Sequence, residues 1–302
     1  MSHSHSHDRG GGNYNRAFII SVALNTSFVI IEAVYGIRAN SLALLADAGH
    51  NLSDVLGLLL AWGASTLSRR LPTPRRTYGL RRSSILAALL NASFLLVVSG
   101  GIGWEAIQRF REPSSVAGIT IIIVAAIGIV INTVSALMFL SGRKNDLNIR
   151  GAFLHLVADA AVSVGVVLAG IAIIYTGWLW FDPAVSLIVT VVIVAGTWQL
   201  FRESLNLITD AVPAGIEPLA VRTYLSELPG VSSVHDLHIW AMSTTETALT
   251  VHLVMPSGYT GDAFLARLVG ELHDNFGIEH PTIQIETGDP SYSCPFIAEN
   301  TV

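Results

Sequence analysis

Six stretches of this chain, at about 17–37, 42–67, 83–106, 117–140, 152–177 and 184–201, are long and apolar enough to cross a bilayer. A spanning helix needs about 20 mostly apolar residues to cover roughly 30 Å of hydrocarbon. The stretches end in helix-breaking or charged punctuation: Gly36 with Arg38, Pro72 with Pro74, Pro113, Gly142 with Arg143, and Asp182-Pro183. The first is too long for a signal-peptide core and has no small-residue cleavage site after it, so it is expected to be retained. Composition agrees. Charged residues make up 13% of the chain, about half the usual share in soluble domains, which excludes both a purely soluble protein and a disordered one. A single cysteine, Cys294, excludes a disulfide framework.

Six spans place both termini on one side, and the arginines say which. Eleven Arg/Lys lie in the N-terminal segment and the second–third and fourth–fifth connections, against three (Arg38, Arg109, Arg111) in the opposite connections. The positive-inside rule then makes both termini cytoplasmic. Residues 1–210 hold 15 Lys/Arg and 11 Asp/Glu, whereas 211–302 hold 2 and 11, so an acidic tail follows a weakly basic membrane front. Within the tail the pattern predicts a helix (Glu217–Leu228), a strand (Ser233–Trp240), a second strand (Ala248–Met255), a helix (Gly261–Phe276) and a last strand (Thr282–Glu286). That order suits a small two-layer α+β domain. The expected organisation is a flexible His-bearing N-terminus (1–15), a six-helix membrane domain (16–210), a cytoplasmic α+β domain (211–290) and a tail (291–302).

Ionisable residues inside spans are costly and mark function. The second stretch carries Asp47, His50 and Asp54, and the fifth carries His155 and Asp159. His50/Asp54 and His155/Asp159 are both i, i+4 pairs, so each pair occupies one helix face. If the faces meet, two imidazoles and two carboxylates converge, a donor set suited to tetrahedral Zn²⁺. Two carboxylates against one divalent cation also leave the buried assembly neutral, and without sulfur a Cu(I)-type site is not expected. Asp47 is a partner to this site or part of an access path. Asn25, Glu32, Asn91 and Asn132 are read as helix–helix hydrogen-bonding groups, with a place on a proton path as the alternative for Glu32.

The stretches Asp47–Asp54, Pro72–Gly79, Asp146–Asp159 and Val234–Trp240 together resemble the cation diffusion facilitator family, across about residues 15–290. The resemblance implies a homodimeric transporter of six helices with a ferredoxin-like cytoplasmic domain, exporting Zn²⁺ against protons. It places the transport site on His50, Asp54, His155 and Asp159, in the His-Asp/His-Asp form of the zinc-preferring branch. An Asp in place of His50 would imply broader Cd²⁺ acceptance. The loop at 68–82 lacks the ligands of a second site found in some members. The short fourth–fifth connection lacks the His-rich loop of many eukaryotic members, which points to a bacterial inner membrane.

The family's cytoplasmic metal site maps onto His235 and His252, with Glu286 as third ligand on the last strand. Cys294 is a candidate soft ligand from the tail, while Asp236 and His238 are weaker candidates. His3, His5 and His7 read either as a metal-capturing arm or as a plain polar terminus. Zn²⁺ needs deprotonated ligands, so binding competes with protons, and alternating exposure of the site is the expected route to antiport. The rival classes are a metal-gated sensor or channel without proton exchange, and an intramembrane metalloenzyme. The latter would keep an open water position and a nearby base, for which there is no motif. The expected partners are a second copy of the chain, the lipid bilayer and divalent metal ions, with no nucleic acid.

Overall fold

The computed structural model describes residues 11–68, 70–140, 147–292 and 294. Six long helices occupy the six apolar stretches: α1 (Gly11–Arg38), α2 (Leu42–Ser68), α3 (Ser83–Arg111), α4 (Gly118–Phe139), α5 (Leu147–Thr176) and α6 (Phe181–Ile208). Segments of α1, α3, α4, α5 and α6 are each long and apolar enough to cross a bilayer. Helix α2, 27 residues long, carries Asp47, His50 and Asp54 inside its apolar run. α1 begins at Gly11, within the segment expected to be a flexible N-terminus.

The chain divides into two compact units, one drawn from Met1–Leu59 and Asn91–Trp198, the other from Leu60–Leu90 and Gln199–Val302. The division passes through α2, α3 and α6 rather than falling between spans and tail. In the first unit the usual burial pattern is inverted. Ile119, Val130, Leu168, Ile188 and Val191 stand exposed, whereas Glu32, Asp47, Asn132, Ser135, Ser163 and Asp182 are fully buried. An apolar exterior of this extent is stable only under lipid, and small or polar side chains then carry the helix contacts.

Glycine sets the closest of these contacts. A Cβ on Gly128 of α4 would lie 2.6 Å from Phe28 Cζ and 3.1 Å from Ser163 Oγ, and one on Gly170 of α5 would meet Gly118 O at 3.2 Å. Helices α1, α4 and α5 therefore approach at backbone range, which fixes the rotation of α5. The start of α2 is fixed from another helix. Asn40 takes φ 53° to turn the chain, and Ser41 Oγ accepts from Leu44 N as a helix N-cap. Asp182, on the first turn of α6, accepts from Ser41 Oγ, from Leu42 N at 2.8 Å and from Ala43 N at 3.3 Å. Its carboxylate sits where the α2 backbone amides and macrodipole favour negative charge. Asp182 and Pro183, expected from the sequence to break the chain before a helix at 184, both lie inside the first turn of α6.

The second unit holds α7 (Pro218–Ser226), β1 (Ser233–Ala241), β2 (Thr247–Val254), α8 (Asp262–Phe276) and β3 (His280–Glu286), followed by a 3-10 turn at Pro290–Tyr292. This is the α-β-β-α-β order read from the sequence, and it forms a small ferredoxin-like α+β layer pair. The sheet order is β1-β2-β3, with β1 and β2 antiparallel and β2 and β3 parallel, as the crossover through α8 requires. Leu249, Val251 and Leu253 alternate into a core with Val221, Leu225, Leu268 and Leu272. α8 ends at Gly277, whose φ of 65° lets its N–H return to His273 O. Within this unit Arg81 pairs with Glu246 at 2.7 Å and Arg82 with Asp210. Those two arginines, read from sequence only as orientation signals, thus have structural partners.

Candidate metal centres

On α2, His50 and Asp54 lie one turn apart, and on α5 so do His155 and Asp159. The structure brings the two faces together. His155 Nε2 lies 3.2 Å from Asp54 Oδ2 and 3.5 Å from Asp159 Oδ2, while His50 Nε2 lies 3.5 Å from Asp159 Oδ1 and 3.7 Å from Asp54 Oδ2. Donor atoms around a tetrahedral ion with bonds of roughly 2.1 Å stand about 3.4 Å from one another, so these separations fit one divalent ion. The imidazole rings meet edge to face at 5.8 Å, which leaves both Nε2 atoms free to point inward. Asp54 Oδ2 is buried without a hydrogen-bond donor, as an oxygen reserved for a cation would be.

Exposure across the site is graded. The side chains of His155 and Asp54 are 44% and 34% exposed, those of His50 and Asp159 23% and 5%. The more open pair lies nearer the C-terminal half of α2 and the N-terminus of α5, the ends adjoining the arginine-rich connections. One turn the other way, Asp47 and Glu32 are sealed. Asp47 does not join the four; its Oδ2 accepts from Ser163 Oγ at 3.1 Å. Glu32 Oε2 accepts from Asn51 Nδ2 at 3.2 Å. Of the three asparagines read as helix–helix groups, Asn91 accepts from Ser53 across α2 and α3. Asn25 instead donates to Ser21 O in its own helix, a correction that follows from its one-turn spacing. Both side-chain polar atoms of Asn132 are without partners.

A second cluster lies on the sheet of the α+β domain, on the face turned away from its two helices. Core residues alternate along β2 and β3, so His252 on β2 and Gln284 and Glu286 on β3 share the opposite face. His235 is the register partner of His252 across β1 and β2, and their rings lie 5.1 Å apart. Glu286 reaches both, at 3.4 Å from His235 Nε2 and 3.0 Å from His252 Nδ1, and Cys294 Sγ is 3.5 Å from the same Nδ1. One donor atom from each of the four lies within 4.8 Å of every other. His235 Nε2 is buried with no hydrogen bond, an orphan that a metal would satisfy, so the donor set fits a bound Zn²⁺.

Asp236 is placed here by an irregularity that sequence periodicity does not show. The register shifts between His235 and His238, and Asp236 takes φ 50°, as at a β-bulge. Its carboxylate reaches His252 Nε2 at 3.4 Å and His238 Nε2 at 2.9 Å. A carboxylate on one imidazole nitrogen, with the other nitrogen facing the ligand cluster, is the usual way a metal-binding histidine is oriented. His238 pairs with Thr250 on the same face, and its Nε2 meets Asp236 rather than joining the four. His3, His5 and His7 lie outside the described residues.

Two family models match consecutive parts of this chain. The cation efflux transmembrane domain matches residues 18–209, and the cation efflux protein cytoplasmic domain matches 213–288. A cadmium, cobalt and zinc/H(+)-K(+) antiporter of Bacillus velezensis is 38% identical, over 99% of this chain and 98% of its own length. The metal cation efflux system protein CzcD of Cupriavidus metallidurans is 38% identical over 95% of this chain and 90% of its own. The zinc transporter ZitB of Escherichia coli is 37% identical over 95% and 93%.

Proposed function

The chain belongs to the cation efflux family, the cation diffusion facilitators, and on that premise we propose that it exports Zn²⁺ from the bacterial cytoplasm in exchange for protons. It is a metal-cation efflux transporter and not an enzyme. The observation that carries the finer reading is the convergence of His50, Asp54, His155 and Asp159 at 3.2–3.7 Å. Two imidazoles and two carboxylates favour Zn²⁺ as cargo, with Cd²⁺ and Co²⁺, named for the Bacillus relative, as secondary substrates. The four ligands hold Zn²⁺ only when deprotonated, so each turnover trades the ion for protons on the same atoms. The graded exposure supports a state loaded from the arginine-rich, cytoplasmic end. Rocking of α2 and α5 then presents the site to the other face, where protons displace the ion. The protein works in the inner membrane as a homodimer with both termini cytoplasmic. His235, His252, Glu286 and Cys294 hold a regulatory Zn²⁺, whose positive charge offsets the acidity of the domain.

The test is zinc flux in proteoliposomes with and without an imposed pH gradient. An outward-to-inward proton gradient accelerates efflux, and Asp54→Ala or Asp159→Ala reduces flux by at least about a hundredfold, as loss of a metal ligand implies. Flux that ignores the gradient removes antiport. Normal flux in both alanine variants removes the site.

A further inference from the structure

We propose that the connection between α2 and α3 builds a binding site for the phosphate of an anionic phospholipid, separate from both metal centres. A cavity of about 540 Å³ opens between this connection, the end of α6 and the end of β1. Small-ligand pockets span roughly 300–1,000 Å³, so a glycerophosphate headgroup fits. Arg75, Arg76, Arg81 and Arg82 all line the cavity, and among the described residues no Asp, Glu or His does. Arg81 is paired with Glu246 at 2.7 Å and Arg82 with Asp210. Arg75 and Arg76 have no acidic partner among the described residues, so two positive charges stand at the cavity without compensation.

The connection presents these arginines from a closed turn. Thr73 and Arg76 exchange backbone hydrogen bonds at 3.1 and 2.9 Å, and Arg76 O also accepts from Gly79 N at 2.8 Å. Gly79 takes φ 69°, and a Cβ there would lie 3.3 Å from Arg70 O, a close approach that favours glycine. Tyr78 meets His280 edge to face with ring centroids 5.6 Å apart. Ser84 Oγ accepts from Thr244 N at 3.1 Å. These contacts, with the Arg81–Glu246 pair, hold the turn against the sheet whose Trp240 forms the facing wall.

Position and chemistry select the occupant. Leu86, on the first turn of α3, and Ile208, the last residue of α6, also line the cavity. Both helices are long and apolar enough to cross a bilayer, so the cavity lies where the spans meet water, at the level of lipid headgroups. Basic pockets at the ends of spans attract anionic headgroups, and the guanidinium fork matches phosphate oxygens two at a time. Leu86 is 47% exposed, an apolar wall that a lipid's glycerol and upper acyl chain would cover and a free phosphate ion would not. The positive-inside bias accounts for arginines on this side of the membrane. It does not require four of them to line one acid-free cavity.

The test is a titration of short-chain phosphatidylglycerol into the full-length protein in a neutral detergent, with bound lipid counted by native mass spectrometry. Wild type should retain this lipid in preference to phosphatidylcholine of the same chain length. Arg75→Gln combined with Arg76→Gln should weaken its binding by about thirtyfold, roughly fivefold for each arginine at a membrane surface. Each single variant, expected to lose about fivefold, carries the test if the double variant folds poorly. Arg70→Gln removes an equal charge from the same connection but outside the cavity, and should lose less than about twofold. The proposal is overturned if phosphatidylcholine binds equally well, or if the arginine variants bind phosphatidylglycerol like wild type. An equal loss in Arg70→Gln and Arg76→Gln also overturns it, since that is the mark of a diffuse surface charge. Inorganic phosphate binding wild type as tightly as the lipid does would overturn the choice of a lipid.

Discussion

Asp236 adopts a left-handed backbone at φ 50°, a conformation that costs an ordinary L-residue roughly 1 kcal/mol and that Asp and Gly tolerate best. Its side chain then sits against His252 Nε2 and leaves Nδ1 to face Glu286 and Cys294. Conformation and chemistry can be separated by substitution. Asp236→Gly keeps the bulge and loses the carboxylate, so it should leave unfolding of the soluble domain nearly unchanged while weakening its zinc binding by about tenfold, as for a lost orienting partner. Asp236→Ala loses both, and should add about 1 kcal/mol of destabilisation from the positive φ. Denaturant unfolding and metal titration of the two variants check the pair of outcomes. His235, His252 and Glu286 were legible in the sequence because their residue types stand out on strands of simple alternation. The orienting role of Asp236 was not, because alternation places residue 236 with the core and only the bulge turns it back.

At the scale of elements, spans and strands were readable because burial leaves a period in the sequence, whereas contacts between helices leave none. The His-Asp pairs of α2 and α5 showed themselves, since a charge within a span has few bland explanations. That Asp182 caps a helix 140 residues away depends on how helices rotate against one another. Gly128, Gly118 and Gly170 set that rotation for α4 and α5. Asp182 is the clearest case, being fully buried and bonded to Ser41, Leu42 and Ala43. Asp182→Ala should leave two amides at the head of α2 and the hydroxyl of Ser41 without their acceptor, at a cost of about 3 kcal/mol. Asp182→Asn keeps an acceptor oxygen and should cost about half as much. Thermal unfolding of the detergent-solubilised protein gives the ranking. Equal stability of wild type and Asp182→Ala would show that α2 needs no cap from α6.

For the whole molecule, the decisive quantity is the unequal distribution of charge. Residues 211–302 carry 2 basic and 11 acidic residues, so in the proposed homodimer two such domains side by side would repel. A Zn²⁺ ion at His235, His252, Glu286 and Cys294 would add net positive charge to each domain, less the proton its thiol releases, and reduce that repulsion. Salt does the same without binding there, because the screening length falls from about 10 Å at 0.1 M to about 3 Å at 1 M. Two independent routes should therefore bring the domains together. With dyes on a bio-orthogonal amino acid in place of Ser257, so that Cys294 is kept, energy transfer within the full-length dimer in nanodiscs should rise on adding zinc at low salt. It should rise without zinc at 1 M salt, and zinc should then add little. His235→Ala should abolish the zinc response and preserve the salt response, since it removes a ligand and leaves the carboxylates in place. A zinc response undiminished at high salt would mean that the metal acts by bridging or reshaping the sheet face rather than by relieving charge.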